Sequence, residues 1–259
     1  MPTQPNEHLA RAEARRLWKT YGFMNPQDLV LEDLAYANGI VVMESRLDGA
    51  EARLIRNDTN GIIRVNQEIT QLGRKRFAVA HEIGHWFLHA RVSQVLACTA
   101  EDMVAKYKSS SPEIEANYFA SELLMPSALF RDRIRAQEPS LYLIEQLASE
   151  FATSLTAAAV RYVELRDDYC AVVFSEGGKI RWWRLSDSFG RDAWIESGSA
   201  LSKLTVARSL YEGGTAGTQP QEVDIDAWMS TRDLDCDSIM EHSMVLGRTG
   251  QTMSLLWLP

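Results

Sequence analysis

Residues 77–89 read FAVAHEIGHWFLH, and within them His81, Glu82 and His85 form the pattern H-E-x-x-H. Histidines four apart lie one turn above the other on a single face of an α-helix, where both imidazoles reach one point. Glu82 is turned roughly 100° from His81 about the helix axis. The flanking Phe77, Ala80, Ile83, Gly84, Phe87 and Leu88 make the segment apolar nearly all round, so the helix is expected to be buried. Two imidazoles and a carboxylate inside a buried helix are costly unless a partner satisfies them. Paired imidazole nitrogens at this spacing suit a zinc ion, one per chain, at about 2.0–2.1 Å. Glu82 would then face the open position as a base that takes a proton from water, and not as a ligand. The competing explanation is a pair of core histidines bonded to backbone carbonyls. The glycine inside the pattern and a matching helix downstream weigh against it.

That second helix is EIEANYFASELLM, residues 113–125, with Ser111 as cap, Pro112 in the first turn and Pro126 as terminator. Ile114, Ala116, Phe119, Ala120, Leu123 and Leu124 form its core face, and Glu115 shares the stripe of Phe119 and Leu123. A carboxylate on a buried stripe needs a partner, which makes Glu115 the expected third metal ligand. Glu113 is the substitute; nearer the helix end, an acid there also serves the helix dipole. His89 is excluded as a ligand, because on a straight helix it sits about 12 Å along the axis from His81. It is expected to be a structural residue at the helix end.

The rest of the chain reads as soluble α+β protein. It has 259 residues, 46% hydrophobic and 24% charged, with a net charge of −8. An acidic protein is a poor non-specific binder of nucleic acid, and no apolar run is long enough to span a membrane. The N-terminus has no signal-peptide pattern. Cys98, Cys170 and Cys236 are too far apart for a metal knuckle or a disulfide framework, so a reducing cytoplasm is the expected setting. The pattern predicts helices at 7–21 and 27–38, a strand at 40–44, and a hairpin of 52–56 with 61–66 around Asn57–Gly61. The motif helix is expected from Gln71 or Arg74, and the stretch 90–112 is only loosely patterned.

RFAVAHEIGHWFLH followed by EIEANYFASELLMP resembles the ImmA/IrrE family of metallo-endopeptidases. The preceding LDGAEARLIRNDTNGIIRVNQEI is similar to that family's hairpin before the motif helix, and the likeness covers roughly residues 25–165. The resemblance implies a gluzincin-like zinc site with His81, His85 and Glu115 as ligands and Glu82 as catalytic base. It also implies a substrate: helix-turn-helix repressors of the XRE type, whose cleavage or inactivation induces a stress or mobile-element programme. The expected fold is a zincin-like peptidase domain over 1–168, made of a small sheet, the H-E-x-x-H helix and a helical bundle. A smaller antiparallel-sheet α+β domain over 169–259 is expected to follow. IrrE-type proteins carry a sensor-like C-terminal domain, so sensing or substrate holding is the role expected of it.

Residues 141–165 have helix-turn-helix spacing, with a joint near Phe151–Ser154. Arg161 is their one basic residue, beside Glu145, Glu150 and Glu164, so structural packing is favoured over DNA reading. From 169, two strands flank Glu176-Gly177-Gly178, a helix is expected at 199–211, and VDIDAWM, DSIMEHSMVLG and TMSLLWL read as further strands. Five tryptophans (Trp182, Trp183, Trp194, Trp228, Trp257) are read as packing, and His242 as structural. Two functions compete with proteolysis: a non-enzymatic module that sequesters a repressor, and a DNA-binding regulator using 141–165. GIIRVN, as a sheet edge, is a candidate for binding extended substrate, and Tyr118 for stabilising an oxyanion.

Overall fold

The computed structural model describes residues 4–89, 111–190, 192–214, 219–232, 234–247 and 250–259. Cys98 and most of the loosely patterned stretch lie outside them. The fold is mixed α+β, in two compact units: residues 1–130 with 148–157, and residues 131–147 with 158–259. The boundary expected at 168/169 thus assigns 131–147 and 158–168 to the motif-bearing part, whereas they cluster with the C-terminal sheet.

In the first unit, α1 (Glu7–Tyr21) buries Ala10, Ala14, Leu17 and Trp18 along one face. Asn6 caps it by accepting from the Leu9 N–H, and Gly22, at φ 69°, ends it in the left-handed conformation. A single 3-10 turn at Pro26–Asp28 precedes α2 (Leu31–Ala37), so the helix expected at 27–38 is split in two. Pro26 favours the short turn, and Leu29 is extended, with φ −86° and ψ 94°.

Three strands follow: β1 (Ile40–Ser45), β2 (Ala52–Arg56) and β3 (Gly61–Asn66). β2 and β3 form the expected hairpin, in which Asn57 Oδ1 accepts from the Thr59 and Asn60 N–H groups. β1 runs parallel to β3, giving the order β1-β3-β2. GIIRVN is therefore the central strand, bonded on both sides, and not the edge that strand addition needs. Among the described residues β2 has a free edge.

The motif helix α3 (Leu72–Leu88) packs along α4 (Ser111–Leu124). Its first turn lies against the backbone at Thr153 and Ser154: a Cβ on Gly73 would fall 2.2 Å from the Thr153 carbonyl carbon. α5 (Ser127–Ile134) was not anticipated; Pro126, read as a terminator, also supplies the carbonyl that accepts from the Phe130 N–H. α6 (Leu141–Glu150) and α7 (Leu155–Leu165) are the helices expected around 151–154, where Ala152 takes a left-handed conformation at φ 49°.

The second unit carries β4 (Cys170–Glu176), β5 (Lys179–Leu185), β6 (Ala193–Trp194), α8 (Val206–Tyr211), β7 (Gln221–Asp224), β8 (Ser230–Thr231), β9 (Ser238–Val245) and β10 (Gln251–Trp257). The main sheet is antiparallel, in the order β5-β4-β10-β9-β7, and β6 pairs with β8 in a short ribbon. Gly177 and Gly178, at φ 61° and 72°, make the β4–β5 turn, as their pairing predicts. The helix expected at 199–211 starts only at Val206, where Thr205 caps it. VDIDAWM is not one strand: after Asp224 the chain makes a 3-10 turn that brings Trp228 into the core. Of the other tryptophans, Trp257 is buried and Trp183 packs against the core, Trp182 stacks on Phe174, and Trp194 is exposed.

Two expectations follow. Gly73→Ala should destabilise the protein by about 1–3 kcal/mol or more, since the obstructing atoms are backbone; a denaturant titration measures it. A fragment ending at residue 168 should be insoluble or lack cooperative unfolding. It would leave the start of α6 without the His242 Nδ1 that accepts the Leu141 N–H at 3.1 Å, and Glu164 without Arg184. A soluble fragment with a sharp melting transition would show that the two units are cut elsewhere.

Candidate metal centre

His81, Glu82 and His85 are all buried on α3, in a helix whose buried face runs unbroken from Phe77 to His85. The imidazoles approach edge to face, with His81 Nε2 and His85 Nε2 2.9 Å apart. The carboxylate that joins them is Glu113, from the first turn of α4. Its Oε2 lies 3.0 Å from His81 Nε2, and its Oε1 3.3 Å from His85 Nε2. Among the described residues, His81, His85 and Glu113 are the group whose donor atoms converge in the manner of a metal site.

Glu115, the expected ligand, is not brought there. Its Oε2 lies 2.9 Å from His89 Nε2, and its Oε1 accepts from the Asn6 N–H at 2.7 Å. Two residues on a helix differ by roughly 200° in direction, so one of the two glutamates faces the histidine pair and the other cannot. The stripe argument failed because α4 is buried on several sides. Glu113 is buried while Ile114 is only half-buried. His89 is at the end of α3, as expected, and does not join the donor cluster. Asn117, not anticipated, sits one turn beyond Glu113 and offers Oδ1 to His81 Nδ1 at 2.9 Å. Its i, i+4 relation to Glu113 is the sequence signal that would have marked the right face. Tyr118 carries the Arg11 guanidinium over its ring, 4.9 Å from the centroid.

The donor set fits a zinc ion. Tetrahedral zinc ligands at about 2.0–2.1 Å lie about 3.3 Å from one another, close to the separations here. Two neutral imidazoles and a carboxylate are zinc's own donor types, and three protein ligands leave a fourth position open. Burial holds the His85 imidazole down at about 4, so it stays neutral near pH 7. Burial would raise Glu113, but the adjoining His81 and His85 rings outweigh this and hold it well below the usual carboxylate range.

Glu82 differs from all of these. It is fully buried, and neither oxygen has a hydrogen-bond partner among the described residues. Burial, helped by the nearby Glu113 carboxylate, pushes its carboxyl up to about 7, against the opposing influence of His81 and of the Leu54 N–H and Arg53 on β2. A carboxyl held near neutrality by burial can exchange a proton close to pH 7.

A small sheet lies with a buried helix that carries two histidines and a buried glutamate, and a carboxylate from a second helix joins the histidines in a group that could hold a metal ion. Residues 35–162 match the model of the IrrE N-terminal-like domain, and with this segment the chain belongs to the ImmA/IrrE metallopeptidase family. It is similar to Metallopeptidase ImmA of Bacillus subtilis (strain 168), with 26% identity over 126 residues, 45% of this chain and 63% of that protein. The match thus spans under two thirds of the relative's length. Among solved structures it is similar to a Mycobacterium tuberculosis transcriptional regulator, with a TM-score of 0.59, 19% identity, and 96% of this chain and 75% of that one covered. That likeness concerns the fold alone. Among the described residues, no helix is long and apolar enough to cross a membrane.

The purified protein is expected to carry one equivalent of zinc by elemental analysis. His81→Ala, His85→Ala and Glu113→Ala should each lower it far below one, because each removes a ligand from a buried site.

Proposed function

We propose that the chain is a zinc-dependent endopeptidase with His81, His85 and Glu113 as ligands and Glu82 as catalytic base, in a zincin-like peptidase fold. The observation that carries this reading is the buried, unpartnered Glu82 beside the donor cluster. A module that only docked a partner would gain nothing from a carboxylate left in that state, since an unsatisfied buried carboxylate is costly. Bound zinc would supply Lewis-acid chemistry, polarising the scissile carbonyl and making water more acidic. Glu82 would take the proton from that water and hand it to the leaving amine. The free edge of β2, whose Leu54 and Arg53 lie close enough to influence Glu82, would hold an extended substrate by strand addition.

The substrate proposed, on the family resemblance, is an XRE-type repressor, and the setting a reducing cytoplasm. Cys170 is a free, buried thiol, pushed up to about 12 by that burial, which suits such a setting. The C-terminal sheet is proposed to sense a signal or hold substrate. Its described residues contribute no metal-binding cluster. DNA reading by α6 and α7 is disfavoured by the burial of Arg161, their one basic residue, at 0% exposure beside Glu164.

Glu82→Gln tests the mechanism. The variant should keep its zinc and its fold, while cleavage of the repressor falls by roughly 10²–10⁴-fold. Cleavage at the parent rate would remove Glu82 from the mechanism. Stoichiometric capture of intact repressor by the parent protein, with no loss of the full-length band over time, would favour sequestration.

A further inference from the structure

We propose that His89 and Glu115 form a positioning relay that fixes the tautomer and ring orientation of His85. The inference rests on the metal reading above and concerns residues outside its ligand set. His85 turns Nε2 toward the donor cluster and Nδ1 toward His89, whose Nδ1 lies 3.0 Å away. Two facing ring nitrogens share one proton, so one donates and the other accepts. A neutral His85 that accepted at Nδ1 would carry its proton on Nε2, on the atom meant for the metal. Glu115 settles the direction. An ionised carboxylate only accepts, and its Oε2 lies 2.9 Å from His89 Nε2. His89 therefore carries its proton on Nε2 and accepts at Nδ1. His85 donates from Nδ1, and its Nε2 lone pair is free.

The relay is anchored and largely buried. Glu115 Oε1 accepts from the Asn6 N–H at the start of α1. The side chains of His89 and Glu115 are 8% and 18% exposed, so the His85–His89 contact is shielded from water. His89 sits where α3 ends, with φ −121° and ψ 45°, and its position four residues after His85 brings the two rings to 5.1 Å. His81 has a one-step version of the same device in Asn117 Oδ1, at 2.9 Å. Acceptors behind metal-bound histidines commonly set ring orientation and basicity.

The test is zinc affinity of the full-length protein, measured by competition with a chromophoric chelator. Glu115→Ala should weaken zinc by roughly 10–100-fold, far less than Glu113→Ala. His89→Asn, whose amide oxygen can accept close to the ring Nδ1 position, should weaken it less. Once residue 89 is Asn, adding Glu115→Ala should change affinity by no more than about twofold, because coupled residues do not add. A slowly exchanging His85 Nδ1 proton should be visible by NMR in the zinc-loaded parent and lost in Glu115→Ala. If Glu115→Ala fails to fold, Glu115→Gln replaces it: it keeps the shape but can donate to His89, so zinc should still weaken.

Parent affinity in both the Glu115 and His89 variants would overturn the relay and leave the metal centre standing, as would full additivity in the double variant. Loss of zinc in Glu115→Ala as complete as in Glu113→Ala would make Glu115 a ligand and also overturn it. Full zinc occupancy in Glu113→Ala would overturn the metal assignment itself.

Discussion

The site depends on how closely α3 and α4 can cross. Gly84, inside the motif, has no side chain, and a Cβ there would lie 3.0 Å from Phe119 Cδ1 and 3.3 Å from Ala116 Cα. Ala116 and Ala120 are small and fully buried on the other side of the contact. The crossing sets Glu113 and Asn117, three residues before and one residue after Ala116, against His81, on the turn of α3 that precedes Gly84. The backbone of α4 is fixed from its other side by α1. Trp18 Nε1 donates to the Leu123 carbonyl at 2.8 Å, and Arg11 and Arg15 reach the buried Glu122. A helix pair held at this separation presents donors on a scale of about 3 Å, the scale a single cation requires. A larger residue at position 84 would open the pair and disperse the cluster.

Three buried glutamates show what burial demands of a carboxylate. Glu122 is met by Arg11, Arg15 and the N–H and hydroxyl of Ser127. Glu241, at 0% exposure, accepts from the Val206 and Ala207 N–H groups, from Trp228 Nε1 and from the Ser243 hydroxyl. Both are structural in character, since buried donors such as the Val206 and Ala207 N–H groups and Trp228 Nε1 would be orphaned by the loss of Glu241. Glu82 is buried as deeply, yet neither oxygen has a well-formed hydrogen bond among the described residues, and the Leu54 N–H and Arg53 act on it only weakly. Its raised pKa comes first from burial, the physical means by which a carboxylate becomes a base effective near neutral pH. The contrast within one chain separates carboxylates that several donors meet from one that burial holds near neutrality.

The C-terminal sheet and its neighbouring helices make a second case of polar groups fixing a structure. His242, read from the sequence as structural without visible partners, accepts the first N–H of α6 and meets the Tyr142 ring edge-on at 5.0 Å. Arg184 on β5 reaches Glu164 on α7 at 2.9 Å. These are long-range pairings, 101 and 20 residues apart, and a sequence reader has no local signal for either. They explain why residues 131–147 and 158–168 group with the sheet although motif similarity runs on to about residue 165. Family likeness follows the order of the chain, whereas compactness follows which side chains meet.

Much of the fold was legible, because its signals are local. The periodicity of α1, α3 and α4, the Asn57–Gly61 hairpin and the paired glycines at 177 and 178 each act within a few residues. His81, Glu82 and His85 share one helix, so their relation follows from helical geometry alone. The carboxylate that meets the histidine pair belongs to another helix, and there the local rule failed. Hydrophobic patterning picks the buried side of an amphipathic helix, but α4 buries Glu113, Ala116, Tyr118, Phe119, Ala120 and Glu122 in several directions. Burial then no longer tells which buried residue faces a given partner. Both glutamates turned out to touch a histidine: Glu113 reaches His81 and His85, and Glu115 reaches His89. That His85 and His89 are met by different carboxylates follows from the direction in which α4 crosses α3. Sequence spacing within either helix does not contain that direction, and only the packing at Gly84 determines it.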